Sequence, residues 1–410
     1  MGGGQKPRAA VIIISYNDES HIERAIQSVC DQTEKQIEII CVNDGSTDST
    51  YQRMLGKAEQ DERIRVITKP SGGALSARFE GLKQVTSDYT MFLDSDDFLH
   101  PDAVKEACDA AERLGADVLE FGVRLVREEN SSGAEDFAKW LEEEYFSQKK
   151  DIPEAAQGPE LINASFVHCV MPWNSWGKLY QTQVLRKALQ FYQGEWISLC
   201  EDKFLTLMVL CHATHYARIK RKLYEYTFGS GLTTTTIPIS APDAIKRVGT
   251  QWHILKLARE WLDRLEYPQD KISPAMTSFK QGVQNDVMHF LLVRIAPEKR
   301  GEYLSWLSKY CTEEEYRDLM CEAIRRQEEQ IRQRDELIRQ QQAQIEGQDE
   351  AIRQQQAQIE QQQAHNEQLE AQNRALSESF ECISNSMSWR MTKPVRFALD
   401  TVKAVLHRSK

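Results

Sequence analysis

Asp94, Ser95, Asp96 and Asp97 follow directly on the apolar run Met91–Leu93 and precede Phe98. An apolar run of this kind reads as the end of a buried strand. Its acids then sit on the loop that leaves the strand, where an open α/β sheet presents ligand sites. Like charges packed this closely repel. A hard divalent cation offsets that cost, because Mg²⁺ and Mn²⁺ prefer carboxylate oxygens and share their remaining positions with phosphates.

Several elements must position such a loop. Ala9–Ile14 is a dense β-branched run ending in Ser15, Tyr16 and Asn17. In Glu19–Cys30, Ile22, Ala25, Ile26 and Val29 have the spacing of an amphipathic helix. Ile37–Val42 is a second strand running into Asn43, Asp44 and Gly45, and Gly45 allows a tight turn. Arg63–Thr68, Ala74–Val85 and Tyr89–Leu93 continue the alternation as strand, helix and strand. This order predicts a parallel sheet with helices on both faces. A helix over Asp102–Leu114 and a strand over Ala116–Val123 follow. Neither a GxGxxG after the first strand nor a GxxxxGK[ST] occurs, so phosphate would be handled without those loops.

Composition narrows the classes. A net charge of −11 argues against a nucleic-acid partner. Nine cysteines without CxxC pairs suggest a reducing compartment rather than a disulfide framework. No secretory leader and no bilayer-spanning run of about 18 apolar residues is expected.

The segment VIIISYNDESHIERAIQSVCDQTEKQIEIICVNDGSTDST, with SGGALSARFEGL and MFLDSDDF after it, resembles the opening of glycosyltransferase family 2 enzymes continuously over Ala9–Leu99. The resemblance implies a GT-A fold, which is α/β and Rossmann-like with a mostly parallel sheet. It also implies a nucleotide-sugar donor, a divalent metal (Mn²⁺ or Mg²⁺) and inversion at the anomeric carbon. Carried over, Ser15 and Tyr16 would line the base pocket, and Asp44 would accept from the nucleobase or ribose. Arg78 would approach the diphosphate or ribose, although Phe79 stands where the family often has Asn. Asp94 would hold the ribose. Asp96 would bind the metal, and Asp97 would be a second ligand or a brace. PWNSWGKLY (Pro172–Tyr180) resembles the family's W-x-K-L-Y element, which makes Trp173, Trp176 and Lys178 acceptor-side candidates. Glu201–Asp202 resembles the acidic pair that opens the family's second catalytic helix, with Asp202 as general base and Glu201 as runner-up. Leu223–Tyr226 resembles the family's closing strand, with a polar loop after it.

The C-terminal part changes character. Ala241–Cys321 reads as helical. Ile324, Ile331, Ile338, Ile345, Ile352 and Ile359 then recur every seventh residue within a 14-residue repeat, which calls for a left-handed coiled coil and a homo-oligomer through 322–380. Met387–Lys410 carries six Lys or Arg against one acid and reads as a basic amphipathic helix for an anionic membrane surface.

The expected organisation is a GT-A domain over 1–236, a helical region over 237–321, a coiled coil over 322–380 and a basic tail over 381–410. The expected activity is an inverting, metal-dependent glycosyltransferase at the cytoplasmic face of the cell membrane. Its donor would be a nucleotide-sugar, UDP-linked, and its acceptor a glycan or lipid-linked glycan. The competing expectation is a catalytically degenerate scaffold that binds nucleotide-sugar and assembles a complex through its coil.

Overall fold

In a computed structural model of the chain the described residues are 6–127, 138–139, 141–145, 157–197, 200–229, 241–289, 291–292, 295–309, 311–385 and 399–404. Strands β1 (Ala9–Ser15) and β2 (Ile37–Asn43) are buried at every position. A strand covered on both faces needs apolar side chains on both, which Val11–Ile14 and Ile39–Val42 supply. Ala10, Ile12 and Ile14 enter one core with Ile40, Val42, Leu75 and Leu82. Ala9, Val11 and Ile13 enter the opposite core with Ile39, Cys41, Ile22 and Ile26. Helices Ile22–Cys30 and Ala74–Gln84 therefore cover opposite faces, as right-handed crossovers require. Each isoleucine so buried contributes on the order of 1.5–3 kcal/mol. Gly81 lets the second helix lie close: a Cβ there would meet Ile12 Cγ2 at 2.5 Å.

The remaining strands are β3 (Ile64–Thr68), β4 (Tyr89–Asp94), β5 (Phe98–Leu99), β6 (Val118–Arg127), β7 (Lys178–Gln181) and β8 (Tyr216–Phe228). Among the described residues the sheet has eight strands, in the order β3-β2-β1-β4-β7-β6-β8-β5. β3, β2, β1 and β4 are mutually parallel. β7 is antiparallel to both β4 and β6, and β8 runs parallel to β6. The sheet is thus mixed and mostly parallel. The expected strand at Ala116–Val123 is β6, and Leu223–Tyr226 is the end of a much longer β8. Two strands lack a matching expectation. β5 forms just after the acidic loop and pairs with β8. β7 carries the end of the PWNSWGKLY segment into the middle of the sheet.

Helices Ala241–Arg264 and Gln269–His289 pack Ile254, Trp261, Leu262, Phe279 and Val283 into the same core as Ile12 and Val42. The first part of the region read as 237–321 therefore shares the core of the sheet, while Val287, Leu291, Tyr303, Leu307 and Leu319 form a smaller cluster of their own. One compact unit extends to Ala323, and a second begins at Ile324. Helix Glu313–Asn385 is continuous over 73 residues. Most of 127–158, the loop 230–240 and most of the basic tail lie outside the described residues. Of the tail, 399–404 is helical. Among the described residues no helix is long and apolar enough to cross a membrane.

Candidate active site

Register brings the sequence-distant candidates to one edge. Ser15 pairs with Asn43, Asn43 with Thr68, and Ile14 with Asp94. The strands therefore end together, and their loops share the space beyond. Ser15 is buried, its carbonyl accepts the Asp44 N–H at 2.9 Å, and its Oγ has no hydrogen-bond partner. Tyr16, next in the chain, is 52% exposed, a flat face open to a planar ligand.

Asp44 is differently occupied from what the resemblance implied. It is buried, and its carboxylate accepts from Lys69 Nζ (2.6 Å), Gly72 N (2.9 Å) and Gly73 N (2.8 Å), with Ser71 Oγ at 3.4 Å. Both oxygens are taken by one loop, so in this structure Asp44 shapes the loop rather than offering an acceptor to a nucleobase. Gly45, at φ +78°, makes the turn possible; a Cβ there would meet Ser71 N at 2.7 Å.

The acidic loop is pinned from three sides. Ser95 Oγ donates to Asp18 at 2.6 Å. Arg24 donates to the Asp96 carbonyl at 2.6 Å and to Thr227 Oγ1 at 2.9 Å, with its guanidinium over Phe98. Asp97 is buried and accepts from Tyr224 Oη and Thr227 N, both at 2.7 Å. Burial, then the Asp96 and Asp94 charges, push its pKa well above the usual carboxylate range. Both Asp97 oxygens are thus occupied within the fold. Asp96 lies half-buried at the turn.

Arg78 joins the two acidic segments. Its side chain is 2% exposed, so it presents no face to a donor as expected of it. Instead its guanidinium donates to Asp94 at 2.9 Å and lies 3.2 Å from Asp202 and 3.9 Å from Glu201. Burial opposes its charge, but Asp202, Asp94 and Glu201 together hold it firmly protonated. One cation thus serves three carboxylates. Glu201 answers by moving up to about 7, through burial first and the Asp202 charge second. Asp94 is also raised by burial, against the pull of Arg78. Asp202 Oδ1 and Arg78 Nε and Nη1 are buried without hydrogen-bond partners. Glu201 and Asp202 occupy the first turn of helix Glu201–Leu210, where the helix dipole favours carboxylates, and Cys200 precedes them at φ +61°.

The acceptor-side candidates turn inward. Trp176 is 7% exposed and stacks between Tyr224 (4.8 Å) and Tyr226 (5.1 Å). Lys178 is buried and donates to the Pro172 carbonyl at 3.1 Å and the Asn174 carbonyl at 2.5 Å. Burial brings its pKa down to about 8. Both side chains, read from the sequence as acceptor-side candidates, are thus packed and bonded within the fold. Trp173 is half-buried, stacked on Phe166 and bonded to the Ser165 carbonyl at 3.2 Å, with Lys203 Nζ over its ring. Sequence reasoning missed Arg24 and Lys69. Their partners lie 72 and 25 residues away, so no local spacing announces them.

Among the described residues no group of three or more His, Cys, Asp or Glu side chains forms a cation cage. The acidic loop fits a different use. Its donors are carboxylate oxygens alone, as a hard cation needs. Asp94 and Asp96, two positions apart in the loop, make the number of carboxylates that holds a cation whose other positions come from a diphosphate.

A parallel half-sheet with acidic loop ends, completed by an antiparallel half that brings in a second acidic pair, is a GT-A arrangement. The crystal structure of S. aureus TarS 1–349 shares this fold, with a TM-score of 0.52 over 74% of this chain and 80% of that chain at 19% identity. The same protein in complex with UDP-GlcNAc gives 0.51 over the same shares at 19% identity. The glycosyl transferase family 2 model matches residues 10–170, and the chain carries a domain of that family. Among curated relatives, glycosyltransferase GlyA of Streptococcus pneumoniae is 28% identical over 224 residues, 55% of this chain and 31% of that protein. Putative glycosyltransferase EpsH of Bacillus subtilis is 29% identical over 224 residues, 54% of this chain and 61% of that protein. The chain thus spans about three-fifths or less of the relatives it matches.

Proposed function

We propose that the chain transfers a sugar from a nucleotide-sugar donor, UDP-linked, to a hydroxyl of a glycan or lipid-linked glycan by inverting single displacement. The observation that carries this reading is the Arg78 junction, which holds the donor-side Asp94 and the candidate base Asp202 on one buried cation. The fold shared with TarS, whose structure holds UDP-GlcNAc, supports the donor class.

Tyr16 stacks on the base, and the loop held by Asp44 closes around it. Asp94 and Asp96 would hold a divalent cation with the donor diphosphate. When bound, that cation neutralises charge growing on the leaving nucleotide. Asp202 takes the proton from the acceptor hydroxyl as its oxygen attacks the anomeric carbon. The bond from that carbon to the diphosphate oxygen breaks, and its electron pair leaves with the nucleotide. Glu201, held largely protonated below neutrality, adds no second full charge beside the base. Arg78 positions Asp202 through their ion pair. Residues 387–410 bind an anionic membrane surface on the cytoplasmic side, and 322–380 self-associates.

The test is turnover across a panel of nucleotide-sugars with Mn²⁺ or Mg²⁺ and with EDTA, for wild type, Asp96→Ala and Asp202→Asn. Metal-dependent use of one donor, lost in both variants, is expected. Donor binding without turnover, with membrane extract supplying acceptor, would replace this reading with the scaffold.

A further inference from the structure

The isoleucines of β1 and β2 are buried; those of the long helix are not. Ile324, Ile331, Ile338, Ile345, Ile352 and Ile359 are 58%, 53%, 49%, 57%, 51% and 53% exposed along helix Glu313–Asn385. A strict period of seven drifts by about 20° per heptad around a straight helix, so such a row stays on one face only when two helices supercoil. We infer that this face is covered by the same face of a second copy of the chain, in a two-stranded coil that is parallel and in register. This rests on the self-association proposed above and not on the transfer chemistry.

Three features choose the orientation and the register. With isoleucine at a, the d positions are Gln327, Arg334, Gln341, Gln348, Gln355 and Gln362. A parallel pair sets a against a and d against d. Ile–Ile layers then alternate with polar layers, most of them Gln–Gln, whose amides can donate to and accept from each other. An antiparallel pair sets a against d, and each isoleucine would face Gln or Arg. The flanks agree. Acids occur at e (Glu328, Asp335, Asp349, Glu370), whereas g holds Gln330, Leu337, Gln344, Ala351, Gln358, His365 and Gln372. Parallel pairing meets e with g, acid with a neutral partner or His365. Antiparallel pairing meets e with e, acid with acid.

Register is the harder choice, because the segment from Ile338 repeats from Ile352. Sliding one chain by 14 residues would keep isoleucine on isoleucine through the repeats. It would also set Asn366 and Asn373 against Ile352 and Ile359. A buried asparagine at a favours its twin in the other strand, and a lone one among isoleucines is left without a partner. The two asparagines therefore lock the unslipped register and favour two strands.

The experiment uses the full chain with its exposed cysteines, Cys169, Cys321 and Cys382, changed to serine. Sedimentation over a dilution series should give twice the mass of one chain. Ile331→Cys and Ile352→Cys, made separately, should each give a disulfide-linked dimer on mild oxidation. Mixed Ile331→Cys and Ile345→Cys chains should give no cross-linked heterodimer. A dimer in which neither single variant cross-links would overturn the parallel orientation, and a heterodimer would overturn the register. A trimeric mass would overturn the two-stranded state. A monomer at every concentration would overturn self-association itself and leave the transferase reading untouched.

Discussion

Asp44 and Asp202 lie on loops and turns that meet at the same sheet region, yet their surroundings are opposite in kind. Asp44 receives donors from Lys69, Gly72 and Gly73, all on a single loop. Asp202 faces Arg78, a cation shared with Asp94 and Glu201, through Oδ1, which is buried without a hydrogen bond. A buried carboxylate satisfied on every side holds shape and has little capacity to react. One that is paired but under-bonded keeps a lone pair for what arrives. The first arrangement is suited to preorganising a pocket, the second to taking a proton.

The sharpest way to break this contrast is to remove the shared cation. Arg78→Met leaves three buried carboxylates uncompensated and should cost about 3–5 kcal/mol of stability, read by denaturant unfolding. Arg78→Lys should recover part of that, because charge is restored without the two-sided reach of a guanidinium. Full stability in Arg78→Met would show that the carboxylates do not depend on it.

Next come the two aspartates themselves. Asp202→Asn should lower kcat by roughly 10²–10⁴-fold, the usual worth of a positioned base, with the unfolding midpoint held or raised. Asp44→Ala should do the reverse in kind. It removes charge-assisted bonds worth about 1.5–3 kcal/mol each, so stability and donor affinity should fall before kcat does. If Asp44→Ala kept its stability while Asp202→Asn unfolded, the two roles would be exchanged.

The smallest effect concerns pH. Glu201 has its folded pKa raised to about 7 from an ordinary 4.5. Between those values the folded chain binds more protons than the unfolded one, so this group's contribution to stability falls as pH rises through the window. Glu201→Gln should flatten that fall, seen as a smaller drop in Tm between acid and neutral pH, and should leave turnover largely intact if Asp202 is the base.

The parallel half of the fold was readable because its information is local. Ala9–Ile14, Ile37–Val42 and Tyr89–Leu93 are packed on both faces and carry an apolar signature that Glu38 and Thr90 interrupt, and the acids that follow them fall where such strands must end. The antiparallel half was much less readable. β5 has two residues, too few for any period, and β7 lies between β4 and β6 through pairings across long separations. The inward turn of Trp176 depends on Tyr224 and Tyr226, and the commitment of Asp97 depends on Tyr224, 127 residues away. Arg78 looks like an ordinary helix-surface arginine until Asp202 is folded against it. Residue types and spacing identified the acids; only the assembled sheet shows which are already occupied.

The Trp176 stack has an optical consequence. Its indole lies on Tyr224, Tyr224 bonds Asp97, and Asp97 adjoins Asp96 in the chain. The chain has eight tryptophans, but the emission lost in Trp176→Phe belongs to this stack. That difference spectrum is a built-in reporter linked to Asp96 through Tyr224 and Asp97, and it would register a cation or a diphosphate there without any label attached to the protein.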